Sequence, residues 1–302
     1  MMILFADLMS YRLRGVPQMA ELVGIYAASH GPMIAREWDR LSADVRGRIE
    51  AGFSSVGSRL KAADPDALVI MSPDHWVNFF LNNLPAFCIG VGEEHDGPPE
   101  PFLRKVFKHD TLKGHPRFAR HILDTALERG ADPSASHRLA LDHGFCLPLW
   151  RMNLDTIPPI VPIVVNEVEA PMPTMRRCLE WGHLLREAIE TYPEPIRVAV
   201  LATGGLSHYI GQPGMGQIDE EFDRTCISVF EDGDEARIAE RLQQAVKKTG
   251  NGGDEVRNWV IAHGLSGAKG FELLGYEPLQ EIYVGCAFAQ WQVQSPRSAA
   301  KV

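Results

Sequence analysis

The sequence lacks any pair of cysteines at the short spacing that a disulfide knot or a structural zinc site needs. Its 302 residues contain five cysteines, an odd number, and they lie far apart in the chain. Small secreted proteins with disulfide frameworks have closely spaced cysteines, and structural zinc sites use C-x-x-C pairs. The pattern therefore predicts free thiols in a reducing compartment. The cysteines are Cys88, Cys146, Cys178, Cys226 and Cys286.

The sequence also lacks a long basic run and a long apolar run. The formal net charge is −9, and no basic run is longer than Lys247-Lys248. Because a nucleic-acid-binding surface needs clustered positive charge to displace counterions, we expect no nucleic-acid partner. No apolar segment reaches the length of a membrane span, and Asp7 interrupts the apolar start of the chain. We therefore expect a cytoplasmic protein that has no membrane partner.

Short β-branched runs alternate with longer segments of helical periodicity. This alternation predicts an α/β fold, a single layered domain in which helices flank a mixed central sheet. Because Met19 resembles a natural start, we expect an N-terminal extension (1–18), a main domain (19–295) and a C-terminal tail (296–302). Strands are predicted at 22–28, 67–71, 87–91, 160–165, 196–202 and 281–287, helices at 35–63, 115–129, 174–191, 220–230, 235–248 and 255–263, and a long loop at 92–113.

Four of the eleven histidines share one local context, directly after a predicted strand or inside a turn, next to Gly, Pro or Asp. They are His30, His75, His143 and His208. A single histidine in a loop is more often a surface or capping residue than a ligand. Since the loops after parallel strands meet at one rim of a sheet, four such histidines together indicate a metal site or a catalytic centre.

A carboxylate that could complete this cluster is Glu255, which begins a predicted helix behind the turn Asn251-Gly252-Gly253. Acidic residues are also favoured in the first turn of a helix by the helix dipole, and Asp254 would serve equally well there. The residues alone leave both interpretations open. In the same way, Asp74 and Ser207 are either groups that orient a histidine or ordinary turn residues.

Five short segments occur in a specific order along the chain. They are Ser29-His30-Gly31-Pro32, Pro73-Asp74-His75, Asp142-His143-Gly144, Gly204-Gly205-Leu206-Ser207-His208 and Glu255-Val256-Arg257-Asn258-Trp259. Together they resemble the class III, or LigB-like, extradiol ring-cleaving dioxygenases, which include protocatechuate and dihydroxyphenylpropionate dioxygenases. The resemblance extends from about Met19 to Trp291, so it implies that residues 19–295 form a catalytic domain of this kind.

The resemblance also implies a role for each member of the cluster. His30, His75 and Glu255 resemble the ligands of a non-haem Fe(II) ion, His208 resembles the catalytic acid/base, and His143 resembles the second active-site histidine. The implied reaction opens the ring of a catechol-type aromatic with an acidic substituent, next to the diol, with O2. The implied assembly is a homo-oligomer, which in some relatives pairs with a small second subunit.

Two other functions would use the same residues. A metal-dependent hydrolase would activate a zinc-bound water at the cluster and would consume no oxygen. A non-catalytic interaction module of the same fold would be expected to have lost part of the cluster, whereas all five positions are filled here.

Overall fold

The computed structural model describes residues 19–267 and 270–293; the extension expected at 1–18 and the tail expected at 296–302 lie outside the described residues. The strands in the described part are β1 (Glu21–Ala28), β2 (Ala67–Ser72), β3 (Phe87–Gly90), β4 (Glu94–Asp96), β5 (Thr111–Lys113), β6 (Ser134–Ser136), β7 (Ile160–Val165), β8 (Arg197–Thr203), β9 (Phe271–Leu279) and β10 (Val284–Trp291). The helices are α1 (Met33–Arg36), α2 (Ala43–Ala63), α3 (Pro101–Arg104), α4 (Pro116–Glu128), α5 (His143–Arg151), α6 (Met175–Thr191), α7 (Glu220–Asp232), α8 (Glu235–Ala245) and α9 (Val256–Ser266). Short 3-10 helices lie at Trp38–Arg40, Asn251–Glu255 and Gln280–Ile282.

The main sheet is mixed and has eight strands in the order β6-β3-β7-β2-β8-β1-β10-β9. Its four central strands, β7, β2, β8 and β1, are parallel to one another. Strand β3 runs antiparallel to β7. On the other side of the sheet, β10 pairs antiparallel with β1, and β9 pairs antiparallel with β10. Strands β4 and β5 form a separate hairpin. The mixed central sheet and the α/β class that the sequence predicted are confirmed.

Helices cover both faces of this sheet. In β2, Ala67, Val69 and Met71 belong to the core cluster formed with α4, α6 and α9, whereas Leu68 and Ile70 belong to the cluster formed with α2 and α5. Successive side chains of a strand point to opposite faces, so a strand that is covered on both sides must be apolar throughout. This requirement explains the continuous apolar run of β2. No described helix has both the length and the apolar character that a membrane span requires.

Helix α9 is buried along its whole length and packs closely on α6. A Cβ atom on Gly182 of α6 would lie 2.3 Å from the carbonyl oxygen of Ile261, and one on Gly264 of α9 would lie 2.6 Å from that of Leu179. Glycine at both positions therefore lets the two helix backbones approach each other. This close packing holds the start of α9, and with it the preceding residue Glu255, in one position.

Several elements differ from the sequence-based prediction. The continuous helix predicted at 35–63 is interrupted, because α1 ends at Arg36 and Ser42 starts α2 by accepting the backbone N–H of Val45 at 3.2 Å. The loop predicted at 92–113 contains β4, α3 and β5. Helix α5 was not predicted, since it includes Pro148, which usually breaks a helix. Strand β9 was also missed, and the last strand is β10 rather than 281–287.

Candidate metal centre

The five side chains predicted to form the site meet in the structure. Nε2 of His30 lies 3.3 Å from Oε2 of Glu255, and Nε2 of His208 lies 3.3 Å from Oε1 of the same carboxylate. Nε2 of His75 lies 3.7 Å from that Oε1 atom. The ring of His143 lies against the ring of His75, with 4.0 Å between their centroids. The geometry therefore brings together residues from five separate parts of the chain.

The parallel strands explain why these residues meet. His30 follows the carboxyl end of β1, His75 follows that of β2, and His208 follows that of β8. These strands are neighbours in the order β2-β8-β1, and the carboxyl ends of parallel strands lie at the same edge of a sheet. His143 reaches this edge as the first residue of α5, and Glu255 reaches it as the residue before α9.

The Nδ1 atoms of His30 and His75 are each held by an oxygen atom. Nδ1 of His75 lies 3.0 Å from Oδ2 of Asp142, which also accepts the backbone N–H of His75 at 2.8 Å. Nδ1 of His30 lies 3.1 Å from Oγ1 of Thr203, whose hydroxyl donates to the carbonyl of Met71 at 3.1 Å. Both oxygens can accept a hydrogen bond from a proton on Nδ1. The lone pair of each neutral ring is then on Nε2, which faces the site.

His143 and His208 are oriented in the same way. Nδ1 of His143 lies 2.8 Å from Oε1 of Glu100, which also accepts the backbone N–H of His143 at 3.0 Å. Nδ1 of His208 lies 3.1 Å from the carbonyl oxygen of Leu206. Because a carboxylate and a carbonyl oxygen only accept hydrogen bonds, Nδ1 carries the proton in both rings. Each Nε2 atom is thus available to a ligand in the pocket.

Two sets of three side chains could hold a metal ion, and they share His30 and His75. The third ligand is Glu255 in the first set and His143 in the second, where one nitrogen from each histidine lies within 4.8 Å of the others. Nε2 of His30 is buried and has no hydrogen-bond partner among the described residues. An orphaned imidazole nitrogen beside a carboxylate and a second imidazole fits a transition-metal ion such as iron or zinc.

The charges of the site are coupled to one another. Burial disfavours charge on Glu255, but His30 and His208 outweigh this effect and hold the pKa of Glu255 well below its ordinary value. Burial lowers the pKa of His30 to about 4. Burial also disfavours charge on His75, but the carboxylate of Asp142 outweighs it and raises the pKa of His75 well above its ordinary value. Without metal, these shifts favour the anion at Glu255, the neutral ring at His30 and the cation at His75.

Glycines let the backbone approach the site. Gly204 has a φ of +99°, and a Cβ atom there would lie 2.7 Å from Oε2 of Glu255. A Cβ atom on Gly252 would lie 2.1 Å from Cδ2 of His208. The backbone N–H of Gly205 donates to Oε2 of Glu255 at 2.7 Å. Larger residues at Gly204 and Gly252 would therefore displace side chains of the cluster.

The five residues line one pocket with a volume of about 360 Å³, within the range of pockets that bind small molecules. Trp76, Ile210 and Met215 also line it and are partly exposed to solvent. Arg36 is the one Lys or Arg side chain within the described ranges that lines this pocket. The size and the apolar lining suit a single aromatic ring.

Sequence-based prediction missed three carboxylates near the cluster. Asp142 is the N-cap of α5, where it accepts the backbone N–H of Gly144 at 2.8 Å, so its position directly before His143 was a usable signal. Glu167 follows β7, the fourth parallel strand that ends at this edge, which was also a signal. Glu100 lies in the long predicted loop, where nothing in the sequence distinguishes it.

The structure favours the interpretation of Asp74 and Ser207 as turn residues. Oδ2 of Asp74 accepts the backbone N–H groups of Val77 and Phe79, each at 3.0 Å. Oγ of Ser207 accepts the backbone N–H of Asp219 at 2.8 Å. These hydrogen bonds stabilise the loops that carry His75 and His208 without holding either ring.

The model of the family described as the catalytic LigB subunit of aromatic ring-opening dioxygenase matches residues 24–286. The chain belongs to this LigB family. It is therefore a metal-dependent enzyme that opens an aromatic ring with O2, as the five segments implied. Membership in LigB favours the dioxygenase over the hydrolase and over the non-catalytic module.

Named relatives and one solved structure agree with the LigB assignment. A 2,3-dihydroxyphenylpropionate/2,3-dihydroxicinnamic acid 1,2-dioxygenase of Photorhabdus laumondii is 27% identical over 289 residues, which cover 80% of this chain and 88% of that protein. A protein of the same name from Azotobacter vinelandii is 31% identical, covering 71% of this chain and 66% of its own length. A gallate dioxygenase of Pseudomonas putida is 36% identical over 52% of this chain and 47% of that protein. An uncharacterized protein of Escherichia coli K12, known from a crystal structure, has the same fold, with a TM-score of 0.57, 14% identity and coverage of 89% of this chain and 100% of that one.

Proposed function

We propose that the protein is a non-haem Fe(II) extradiol dioxygenase that opens a catechol-type aromatic with an acidic substituent next to its diol. In this proposal His30, His75 and Glu255 hold the iron, while His208 and His143 handle protons. The observation that carries it is the convergence of Nε2 of His30, Nε2 of His75 and the carboxylate of Glu255 in the lining of one pocket. Two imidazoles and one carboxylate are a donor set that suits Fe(II) and leaves positions for substrate and O2.

When bound, the iron would supply the electron transfer between ring and oxygen that a protein side chain cannot perform. The chain itself must bind the aromatic, orient it and move its protons. A diol loses a proton as it binds, and the free nitrogen of an imidazole ring is suited to accept it. In the proposal Nε2 of His208 takes this proton, since its Nδ1 atom is already held by the carbonyl oxygen of Leu206.

His143 lies next to His75, with 4.0 Å between the ring centroids. Its Nδ1 atom is held by Glu100, so its Nε2 atom is the group that can contact a ligand. In the proposal Nε2 of His143 therefore contacts an oxygen atom of the bound substrate and helps to move its protons.

The pocket and the names of the relatives support an acidic substituent on the proposed substrate. The names dihydroxyphenylpropionate and gallate both denote aromatic acids with adjacent ring hydroxyls, two in the first and three in the second. In this chain the guanidinium of Arg36 lies 5.7 Å from the centre of the Phe102 ring, at the pocket. Arg36 forms no ion pair with any side chain in the described ranges, so a substrate carboxylate can bind it. A guanidinium is well matched to a carboxylate through paired hydrogen bonds.

The test is to load the metal-free protein with Fe(II) under anaerobic conditions, add carboxylated catechols and O2, and follow oxygen uptake together with the yellow ring-fission product. His208→Ala should retain iron and lose about 10²- to 10⁴-fold in turnover. Glu255→Ala should lose iron, whereas His143→Ala should retain it. The opposite iron contents for the last two variants would assign His143, rather than Glu255, as the third ligand.

A matched control is His183→Ala, because His183 is a half-exposed histidine on α6 that pairs with Glu235 away from the pocket. It should retain both iron and activity. Turnover with zinc and no oxygen uptake would instead support the hydrolase. The homo-oligomeric state, the small second subunit and the cytoplasmic location expected from the sequence stay predictions.

A further inference from the structure

The fourth parallel strand brings an additional acidic side chain to the pocket. Strand β7 pairs in parallel with β2, with Val164 opposite Ser72, so the residues after β7 lie at the same edge as His75. Glu167 is the second residue after this strand. The side chain of Asn166 tightens the loop by donating to the carbonyl of Glu169 at 2.8 Å and accepting its backbone N–H at 3.3 Å. This loop holds Glu167 against the interior, where it is 2% exposed.

One oxygen of Glu167 is bound and the other is not. Oε2 accepts a hydrogen bond from Nδ2 of Asn258 at 3.1 Å, and the same Nδ2 donates to the carbonyl of Thr203 at 2.9 Å. Oε1 is buried and has no hydrogen-bond partner in the parts of the chain that the structure describes. Glu167 lines the pocket that also holds His75 and His208. A buried polar atom without a partner is rare, and here it belongs to a residue that lines a ligand pocket.

The surroundings decide which kind of group fits this atom. Burial, together with the nearby carboxylate of Glu255, raises the pKa of Glu167 well above its ordinary value and so favours the neutral carboxylic acid. A carboxylic acid both donates and accepts hydrogen bonds. An anionic substituent at this position would be repelled by the negative charge of Glu255, and Arg36 is already available to bind the substrate carboxylate. A hydroxyl group, which is neutral and also donates and accepts, is the best match.

We propose that Oε1 of Glu167 binds a ring hydroxyl of the substrate other than the two of the diol, which makes Glu167 a residue that determines specificity. The pocket then selects trihydroxylated over dihydroxylated aromatic acids. A site that is built to bind a hydroxyl discriminates against an analogue without it, because the buried polar atom is then left unpaired. This inference rests on the proposed function, since it concerns the substrate of the same site.

The experiment compares gallate with protocatechuate, two aromatic acids that differ by one ring hydroxyl. Binding of each to the Fe(II)-loaded protein is measured anaerobically by calorimetry, and kcat/KM is then measured in the presence of O2. The wild-type protein should bind gallate about tenfold more tightly, as expected for about one additional buried hydrogen bond. Glu167→Met should lose this preference, and Glu167→Gln should retain most of it, since its amide also donates a hydrogen bond.

Glu169→Gln is the matched control, because Glu169 is an exposed carboxylate on the same loop and does not line the pocket. It should leave the preference unchanged. Equal binding of the two acids by the wild-type protein, or an unchanged preference in Glu167→Met, overturns the inference and leaves the proposed function intact. Loss of iron from Glu167→Gln also overturns it, since Glu167 would then be a metal ligand. Failure of the wild-type protein to bind either acid overturns this inference, and the proposed function is overturned with it only if no carboxylated catechol, including dihydroxyphenylpropionate, is opened with O2.

Discussion

Replacing Asp142 with asparagine tests how the ring of His75 is oriented, because the substitution leaves His75 itself in the chain. Oδ2 of Asp142 accepts both the backbone N–H and the Nδ1–H of His75, while Oδ1 accepts the backbone N–H of Gly144. An asparagine has only one accepting oxygen. If that oxygen faces His75, the amide nitrogen faces the N–H of Gly144, and two donors meet. If it faces Gly144, the amide nitrogen donates to Nδ1 of His75 and drives the proton to Nε2, which then cannot bind a metal ion.

The size of the effect follows from the bond that is lost. A hydrogen bond to a charged group contributes about 1.5–3 kcal/mol, and about 1.4 kcal/mol corresponds to a factor of ten in an equilibrium constant. We therefore expect Asp142→Asn to weaken metal binding by about 10- to 100-fold, which matches the usual effect of removing a partner of a ligating histidine. His75 itself remains in place, so the variant should still bind metal at high concentration.

The assay is an anaerobic competition between the protein and a chelator for Fe(II), together with the thermal unfolding of the metal-free protein. Asp155→Asn is the matched control, because Asp155 is a surface carboxylate whose side chain is 88% exposed and pairs with Lys61. It should not change metal affinity. An unchanged affinity in Asp142→Asn, or the same loss in both variants, would refute the role assigned to Asp142.

Two further predictions concern the charges of the site. Arg36→Met should raise KM for a carboxylated catechol by about tenfold and leave KM for unsubstituted catechol unchanged in oxygen-uptake assays. An equal rise for both compounds would mean that Arg36 supports the pocket rather than the carboxylate. Metal affinity should rise by about tenfold per pH unit through neutrality, because the pKa of His75 is raised and its Nε2 proton must leave before a metal ion binds. Calorimetry in two buffers of different ionisation enthalpy measures that proton, and an affinity that is constant between about pH 6 and pH 8 would contradict the prediction.

The histidines could be predicted because strand ends can be recognised in a sequence. The apolar runs that become β1, β2 and β8 are buried on both faces, and each is followed by glycine, proline or polar residues. His30, His75 and His208 are the second, third and fifth residues after the ends of these three strands. His143 was recognised from its turn-like neighbours, although it begins a helix, because an N-cap aspartate and a glycine look the same in a turn and at a helix start.

Glu255 could not be predicted from the residues alone. Asp254 and Glu255 are equally suited to the start of a helix, and only tertiary packing separates them. In the structure Glu255 faces His30 and His208, whereas Asp254 pairs with Arg257 on the next turn of the chain. The direction of these side chains depends on the short 3-10 helix before α9 and on the packing of α9 against α6, which no local pattern shows. Glu255 was predicted as a ligand from the resemblance of the five ordered segments to the LigB-like dioxygenases, and not from periodicity.

The carboxylates that hold the histidines could not be predicted from local sequence patterns. Asp142 lies 67 residues from His75, and Glu100 lies 43 residues from His143. Such pairs form only when the chain folds, so neither partner indicates the other in the sequence. Glu167 is a different case, since it follows a parallel strand just as His30 and His75 do. A polar residue just after a central parallel strand, whether histidine or carboxylate, lies at the edge of the sheet where this pocket forms.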